Sequence, residues 1–169
     1  ALHAAFGVLL ALIERDRDGG GRGQTIDVAI YEAVFNMLES IVPEYDGAGV
    51  VRGPSGSTLT GIVPTNTYLC RDDKYVVIGG NGDSIFQRLM RAAGRPEMAE
   101  DARFADNTGR VTFQREIDDA IAAWTGRLDS ADVLENLAEA SVPSGPIYSV
   151  EDMMRDPHFR ARGLFEQVE

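Results

Sequence analysis

Apolar residues at Leu2, Ala5, Phe6, Leu9, Leu10 and Ile13 recur at helical spacing, while Val8, Ala11 and Leu12 fill the opposite side. The pattern predicts a helix over residues 2 to about 15, and one that is apolar all round belongs inside a larger body. The run Asp18-Gly19-Gly20-Gly21-Arg22-Gly23 predicts a loop, since each glycine costs about 1 kcal/mol relative to alanine within a helix. Residues Gln24 to Val28 alternate polar with β-branched side chains and predict a short strand. Ile30, Val34, Met37, Leu38 and Ile41 then return to helical spacing, and Pro43 is the expected stop.

Between about Glu44 and Pro64 no period is visible. Six glycines or prolines fall between Gly47 and Gly61, which predicts a linker or a long functional loop. Two strands follow, Thr65 to Cys70 and Tyr75 to Ile78, joined through Arg71-Asp72-Asp73-Lys74 as a hairpin. After the turn Gly79-Gly80-Asn81-Gly82, Asp83 or Ser84 can cap a helix whose inner face is Phe86, Leu89, Met90 and Ala93, ended by Gly94-Arg95-Pro96. A further helix is predicted over Val111 to Trp124, with Phe113, Ile117, Ala120, Ile121 and Trp124 on one stripe. Another begins at Ser130, with Val133, Leu134 and Leu137 inward. Val142 to Tyr148 reads as a strand, Ser149 with Asp152 has capping-box spacing, and the final residues allow only short helices. The fold class is α+β without repeats.

Length and charge narrow what such a chain can do. With 169 residues, 44% hydrophobic and 25% charged, it can bury a core of about one domain. A formal net charge of -11 opposes nucleic-acid binding, and with Lys74 as the one lysine there is no basic stripe for a membrane surface. The apolar run Ala4 to Ile13 is too short to span a bilayer and lacks the flanks of a signal peptide. A single cysteine, Cys70, forms no intrachain disulfide, so the expected location is the cytoplasm. The chain opens at Ala1 without methionine, pointing to processing, proteolysis or a segment cut from something longer.

Few residues carry chemistry on their own. His3 and His158 are far apart in sequence without a ligand partner at metal spacing, so both read as structural and no metal site is expected. Cys70 lies in an apolar strand and reads as an inert buried thiol. The adjacent pairs Asp72-Asp73, Glu100-Asp101 and Asp118-Asp119 point to different sides and read mostly as solvated surface. Gly79 to Gly82 lead from strand to helix, but lack G-x-G-x-x-G spacing and a Walker lysine. They suit a plain turn, or equally close backbone approach to another surface or an acyl ligand, better than a phosphate cradle.

Taken together, Gly21-Arg22-Gly23-Gln24-Thr25-Ile26-Asp27-Val28-Ala29-Ile30-Tyr31-Glu32-Ala33, preceded by a small-residue helix with His3 and Gly7, resembles family III CoA-transferases, the CaiB/BaiF group. The hairpin Tyr68 to Gly79 resembles that family's small domain. Pro143-Ser144-Gly145-Pro146-Ile147-Tyr148 with Asp156-Pro157-His158-Phe159 resembles its return linker. The resemblance runs in order along essentially the whole chain.

It implies transfer of CoA between carboxylic acids through an aspartyl covalent intermediate, with acyl-CoA as substrate and no permanently bound cofactor. The family's aspartate would fall upstream of Ala1, so no catalytic residue is assigned within the chain and the chain alone is expected to be inactive. The implied acyl-side wall is Ile30, Gly61, Gly79, Gly80, Asn81 and Gly82, within positions that include the loop from Arg52 to Thr65. Residues 1–45 would be the helix-strand-helix tail of a Rossmann-like CoA-binding domain and 46–65 the linker or active-site loop. Residues 66–145 would be the small α+β domain, with 146–169 starting the return linker. Family resemblance also implies an interlocked homodimer. Two other readings stand beside the transferase. One is an α-methylacyl-CoA racemase, in which the position of Gly82, in gap-free register from Tyr75, would carry an acid. The other is a non-catalytic, self-associating domain.

Overall fold

Alternating inward and outward side chains along two five-residue strands organise the larger part of the chain. In the computed structural model, which describes residues 1–17 and 21–167, the chain divides into two units, Ala1–Pro54 and Ser55–Glu169.

The first unit holds helices α1 (Leu2–Arg17), α2 (Ile30–Phe35) and α3 (Ile41–Ala48). Residues Asp18, Gly19 and Gly20 of the predicted glycine loop lie outside the described residues. Gln24 to Val28 is irregular rather than a strand. Alternation alone makes no strand where no neighbouring ladder takes up the backbone donors and acceptors. Periodicity predicts one helix from Ile30 to Pro43, but the structure breaks it after Phe35, with Glu39 at φ 51°. The helix restarts at Ile41, so Pro43 falls in a first turn, where a missing N–H costs no helical hydrogen bond. Helix α3 thus occupies the start of the stretch predicted as linker. No side chain of α1 is buried: Leu2, Phe6, Leu9 and Ile13 are 80%, 66%, 59% and 64% exposed.

The second unit is built on a three-stranded antiparallel sheet in the order β1 (Thr65–Leu69), β2 (Tyr75–Gly79), β3 (Ser144–Pro146). In the hairpin Thr65 pairs with Gly79 and Leu69 with Tyr75, while Val76 pairs with Pro146 and Ile78 with Ser144 across to β3. The predicted strand 142–148 is shorter as a ladder, although Gly79 N–H donates to Pro143 O and Ile147 N–H to Tyr75 O on either side of it. Tyr68, Val76 and Ile78 point inward and are buried; Leu69, Tyr75 and Val77 face outward. This is the period-2 signature of a sheet covered on one face.

Helices α4 (Asp83–Ala92), α5 (Pro96–Glu100), α6 (Asn107–Thr112), α7 (Gln114–Thr125) and α8 (Ser130–Glu139) cover that face, followed by the short α9 (Val150–Arg155) and α10 (Pro157–Ala161). Phe86, Leu89 and Met90 of α4, Ile117, Ile121 and Trp124 of α7, and Val133 and Leu137 of α8 form the core with the inner strand residues. The single helix predicted over 111–124 is two, because the chain turns at Phe113. Upstream, Asp106 caps α6 by accepting from Gly109 N–H at 2.8 Å. Asp106 followed by Asn107, Thr108 and Gly109 is the signal that a search for apolar stripes passes over. The predicted capping box is present: Ser149 and Asp152 exchange hydrogen bonds at the start of α9.

One member of each of the three adjacent acidic pairs has a structural task. In the hairpin turn, where Asp73 takes φ 57°, Asp72 accepts from Ser130 N–H at 3.1 Å and Ser130 Oγ at 2.8 Å. The turn thereby caps α8 from a distance, satisfying an orphan N–H that Asp129 leaves unmet. Asp118 accepts the Tyr68 hydroxyl at 2.6 Å, and burial with that bond pushes the phenol pKa up. Asp101 accepts from Arg103 N–H at the start of a 3-10 turn.

The Ser130 hydroxyl holds the Asp72 carboxyl below the ordinary range. A lowered folded pKa contributes stability above the unfolded value of about 3.9, and that contribution is lost as pH falls through the folded value. Asp72→Ala is therefore expected to lower the melting temperature at pH 7, with the difference from the unmutated chain shrinking below about pH 4. Thermal melts across that range measure it, and a pH-independent difference would exclude the charge-based cap.

Candidate functional site

The irregular segment before β1 and the glycine turn after β2 meet at the end of the hairpin, because Thr65 and Gly79 are paired in register. Gly61 there takes φ +79°, a conformation that favours glycine. Gly80 N–H donates to Pro64 O at 2.9 Å. Gly80 is also the closest-packed residue of the turn: an added Cβ would lie 2.5 Å from Leu89 Cδ2 and 3.0 Å from Pro64 Cγ. At Gly82 the backbone φ is -75°, and a Cβ would meet the Ile85 side chain at 3.2 Å. The interior therefore requires glycine at position 80 more strictly than at 82. Gly82 is itself the N-cap of α4, with no side-chain cap, so neither Asp83 nor Ser84 takes that role.

Asp83 turns to a partner that reading for apolar stripes missed. Arg110, on α6, has a side chain only 1% exposed. Its Nε donates to Val63 O at 3.0 Å and Nη1 to Phe104 O at 3.0 Å. Nη2 donates to Asn81 O at 2.8 Å and Asp83 Oδ1 at 2.7 Å. The guanidinium lies 5.2 Å from the centre of the Phe86 ring. One turn earlier, Asn107 Nδ2 donates to Gly61 O at 2.8 Å and its Oδ1 accepts from Val63 N–H at 3.1 Å. A buried cation is stable only where acceptors meet its donors, and here three backbone carbonyls and one carboxylate take four of the five N–H groups. The Thr65 hydroxyl oxygen at the same end of the hairpin is buried with no hydrogen-bond partner among the described residues.

The structure thus brings Gly61, Gly79, Gly80, Asn81 and Gly82 together around one end of the sheet. Ile30 lies in the other unit, at the first position of α2, and is 86% exposed. The loop that starts at Arg52 is fixed at its root, where the Arg52 guanidinium holds Glu44 with Nε–Oε2 at 2.7 Å and a second contact to Oε1. That pairing, with Ser40, lowers the Glu44 carboxyl to about 2. Ser57, Asn66 and Thr67 tie the loop to β1 through contacts of 2.7 to 2.8 Å.

Other candidates fall outside this cluster. Cys70 is buried, and burial followed by the Asp72 charge pushes its thiol pKa up, the reverse of nucleophile activation. His3 Nε2 lies 3.2 Å from Asn36 Nδ2 in the first unit, and the His158 ring packs near Phe159. An open hollow of about 610 Å³ in the first unit is lined by Leu2, His3, Ala5, Phe6, Leu9 and Asn36. Among the described residues no group of three or more His, Cys, Asp or Glu could hold a metal ion, and no helix is long and apolar enough to cross a membrane. Chemically, the hairpin end carries backbone groups and small residues, with the Thr65 hydroxyl buried among them.

Comparison with known proteins agrees with the whole-chain pattern. The model of CoA-transferase family III matches residues 1–169. A succinyl-CoA–D-citramalate CoA-transferase of Chloroflexus aurantiacus is 44% identical over 162 residues, covering 96% of this chain and 40% of that protein. A succinyl-CoA:mesaconate CoA-transferase of Haloarcula marismortui is 30% identical over 169 residues, covering all of this chain and 41% of its own length. A crystal structure of a CaiB/BaiF family protein from Brucella suis superposes with a TM-score of 0.78 at 33% identity, over 96% of this chain and 42% of that one. The chain thus spans about 40% of the curated relatives it matches.

Overpacking a close-packed core position costs about 1–3 kcal/mol, and Gly80→Ala is expected to destabilise the chain within that range. Urea unfolding measures it. A loss as large at Gly82→Ala would contradict the packing difference between the two positions.

Proposed function

The chain belongs to CoA-transferase family III, and from that premise we propose that the protein of which it forms part moves CoA between carboxylic acids. The observation that carries this reading is the family match along the full chain, with the hairpin, glycine turn and return segment in the family's order. Several of its relatives are named for pairing succinyl-CoA with dicarboxylic acids, which favours dicarboxylates as acyl donor and acceptor.

In this reading an aspartate carboxylate, which family register puts before Ala1, attacks the thioester carbonyl and expels CoA thiolate, leaving a mixed anhydride. The thiolate attacks the aspartyl carbonyl and releases the donor acid. The acceptor carboxylate then displaces the thiolate from the aspartyl thioester, and thiolate attack on the new acyl group yields the product and regenerates the aspartate. Nothing in the chain takes the nucleophile's part. Residues 1–45 belong to the tail of the large CoA-binding domain, 46–65 to the linker or active-site loop, 66–145 to the small domain and 146–169 to the start of the return linker. Ile30, Gly61 and Gly79 to Gly82 contribute the acyl-side wall, and no cofactor is held permanently. The exposed apolar side chains of α1 are covered by the remainder of the longer protein and by a second copy, as a cytoplasmic homodimer.

Glycine rather than an acid at position 82 favours the transferase over a racemase. The full-length protein, given succinyl-CoA and a panel of dicarboxylic acids, is expected to transfer CoA and to accumulate a hydroxylamine-sensitive covalent adduct. The isolated chain is expected to do neither. Rapid α-proton exchange of a branched acyl-CoA in deuterated water, with no transfer to any acid, would assign the racemase instead.

A further inference from the structure

Within the second unit, a single turn of helix grips both backbone segments that meet at the end of the hairpin. Asn107 and Arg110 are three residues apart on α6 and therefore share one helical face. Asn107 takes the N–H of Val63 and the carbonyl of Gly61, while Arg110 takes the carbonyl of Val63. Both backbone groups of Val63 are thus held from the same helix. The other end of the guanidinium holds Asn81 O and Asp83 Oδ1. The helix that carries the two side chains is itself fixed. An added Cβ at Gly109 would lie 2.1 Å from Arg103 O, Asp106 caps the first turn, and Phe104 stacks edge-on between Phe86 and Phe113 with centroids at 5.9 Å.

We propose that Asn107 and Arg110 act as positioning residues that set the separation between the Gly61–Val63 segment and the Asn81–Asp83 turn. They thereby set the shape of the wall presented to the acyl group. The proposal rests on the transferase reading for the wall's role, but the clamp itself follows from the contacts. Neither residue need touch substrate. A planar guanidinium with a fixed fork can bridge the two segments at one spacing, and a lysine, with three donors on a flexible stem, cannot. Misplacement of about 1 Å at such a wall is enough to slow chemistry on the order of a hundredfold.

The test uses the full-length protein carrying Asn107→Asp or Arg110→Lys, with Ile121→Ala as a comparison that loosens the core without touching the clamp. Asn107→Asp is nearly isosteric, keeps the acceptor for Val63 N–H and loses the donor to Gly61 O, so it leaves the fold in place. The expected result is faster hydrogen exchange in peptides covering 59–64 and 79–84 for both clamp variants. Their kcat should fall on the order of tenfold or more, with KM for the acyl-CoA within about twofold. Ile121→Ala should lower the melting temperature while kcat stays within about twofold. Unchanged exchange in the two segments, or kcat that follows melting temperature equally in all three variants, would overturn the positioning role. An unmutated protein that moves no CoA to any acid would instead sink the transferase reading, and the exchange measurement alone would then decide the clamp.

Discussion

The second unit depends on a guanidinium taken out of water. Desolvating an isolated cation costs several kcal/mol even after the surroundings relax, so Arg110 can be buried only where carbonyls converge on it. Val63, Phe104 and Asn81 supply them, and Asp83 supplies a counter-charge whose own side chain remains 64% exposed. The arrangement works because none of those carbonyls is used by the sheet or by a helix ladder. The segment entering β1, the turn leaving β2 and the 3-10 turn before α6 each leave a backbone acceptor free, and one planar group collects all three. Removing it would strand two acceptors in the core and a third at its edge, so both segments at the hairpin end depend on the same contact.

Polar anchoring from a distance recurs elsewhere in this unit. Asp72 in the hairpin turn caps α8, Arg88 donates to Ala140 O and Ser141 O past the end of that helix, and Tyr68 reaches Asp118 on α7. Each joins a strand or turn to a helix remote in sequence. Apolar packing between sheet and helices tolerates small sliding, whereas these bonds fix register. The first unit has less of this. Its polar contacts include Arg52 with Glu44 and Ser40, Asn36 with His3 and Gln24 with Glu14, and its helices leave most of their apolar side chains exposed.

The division bears on how a transferase could be assembled from such a chain. A rigid wall of backbone and small side chains has no pKa to tune and no nucleophile to activate. In the proposed reading, such a wall contributes to catalysis through geometry, by excluding wrong poses. The charged chemistry would then sit on the large domain, consistent with a chain rich in acids and nearly without lysine.

The hairpin, the faces of α4, α7 and α8 and the Ser149 capping box were legible in the sequence because each depends on neighbours within about ten residues, and the family resemblance because its segments keep their order along the chain. Gly79 to Gly82 stood out for the same reason, as did the inert character of Cys70. What failed at this level was every feature whose partner is far along the chain. The strand at 24–28 has no ladder to join, and Pro43 sits in a helix start because the chain breaks at Glu39. Asp83 pairs with a residue 27 positions away instead of capping its own helix, and Arg110 meets Val63 across 47 positions. An arginine in a polar stretch looks like a surface residue until the fold surrounds it with carbonyls. Local spacing determined which elements form, and only tertiary structure decided which polar groups are buried together, since that depends on backbone acceptors left over after the ladders close.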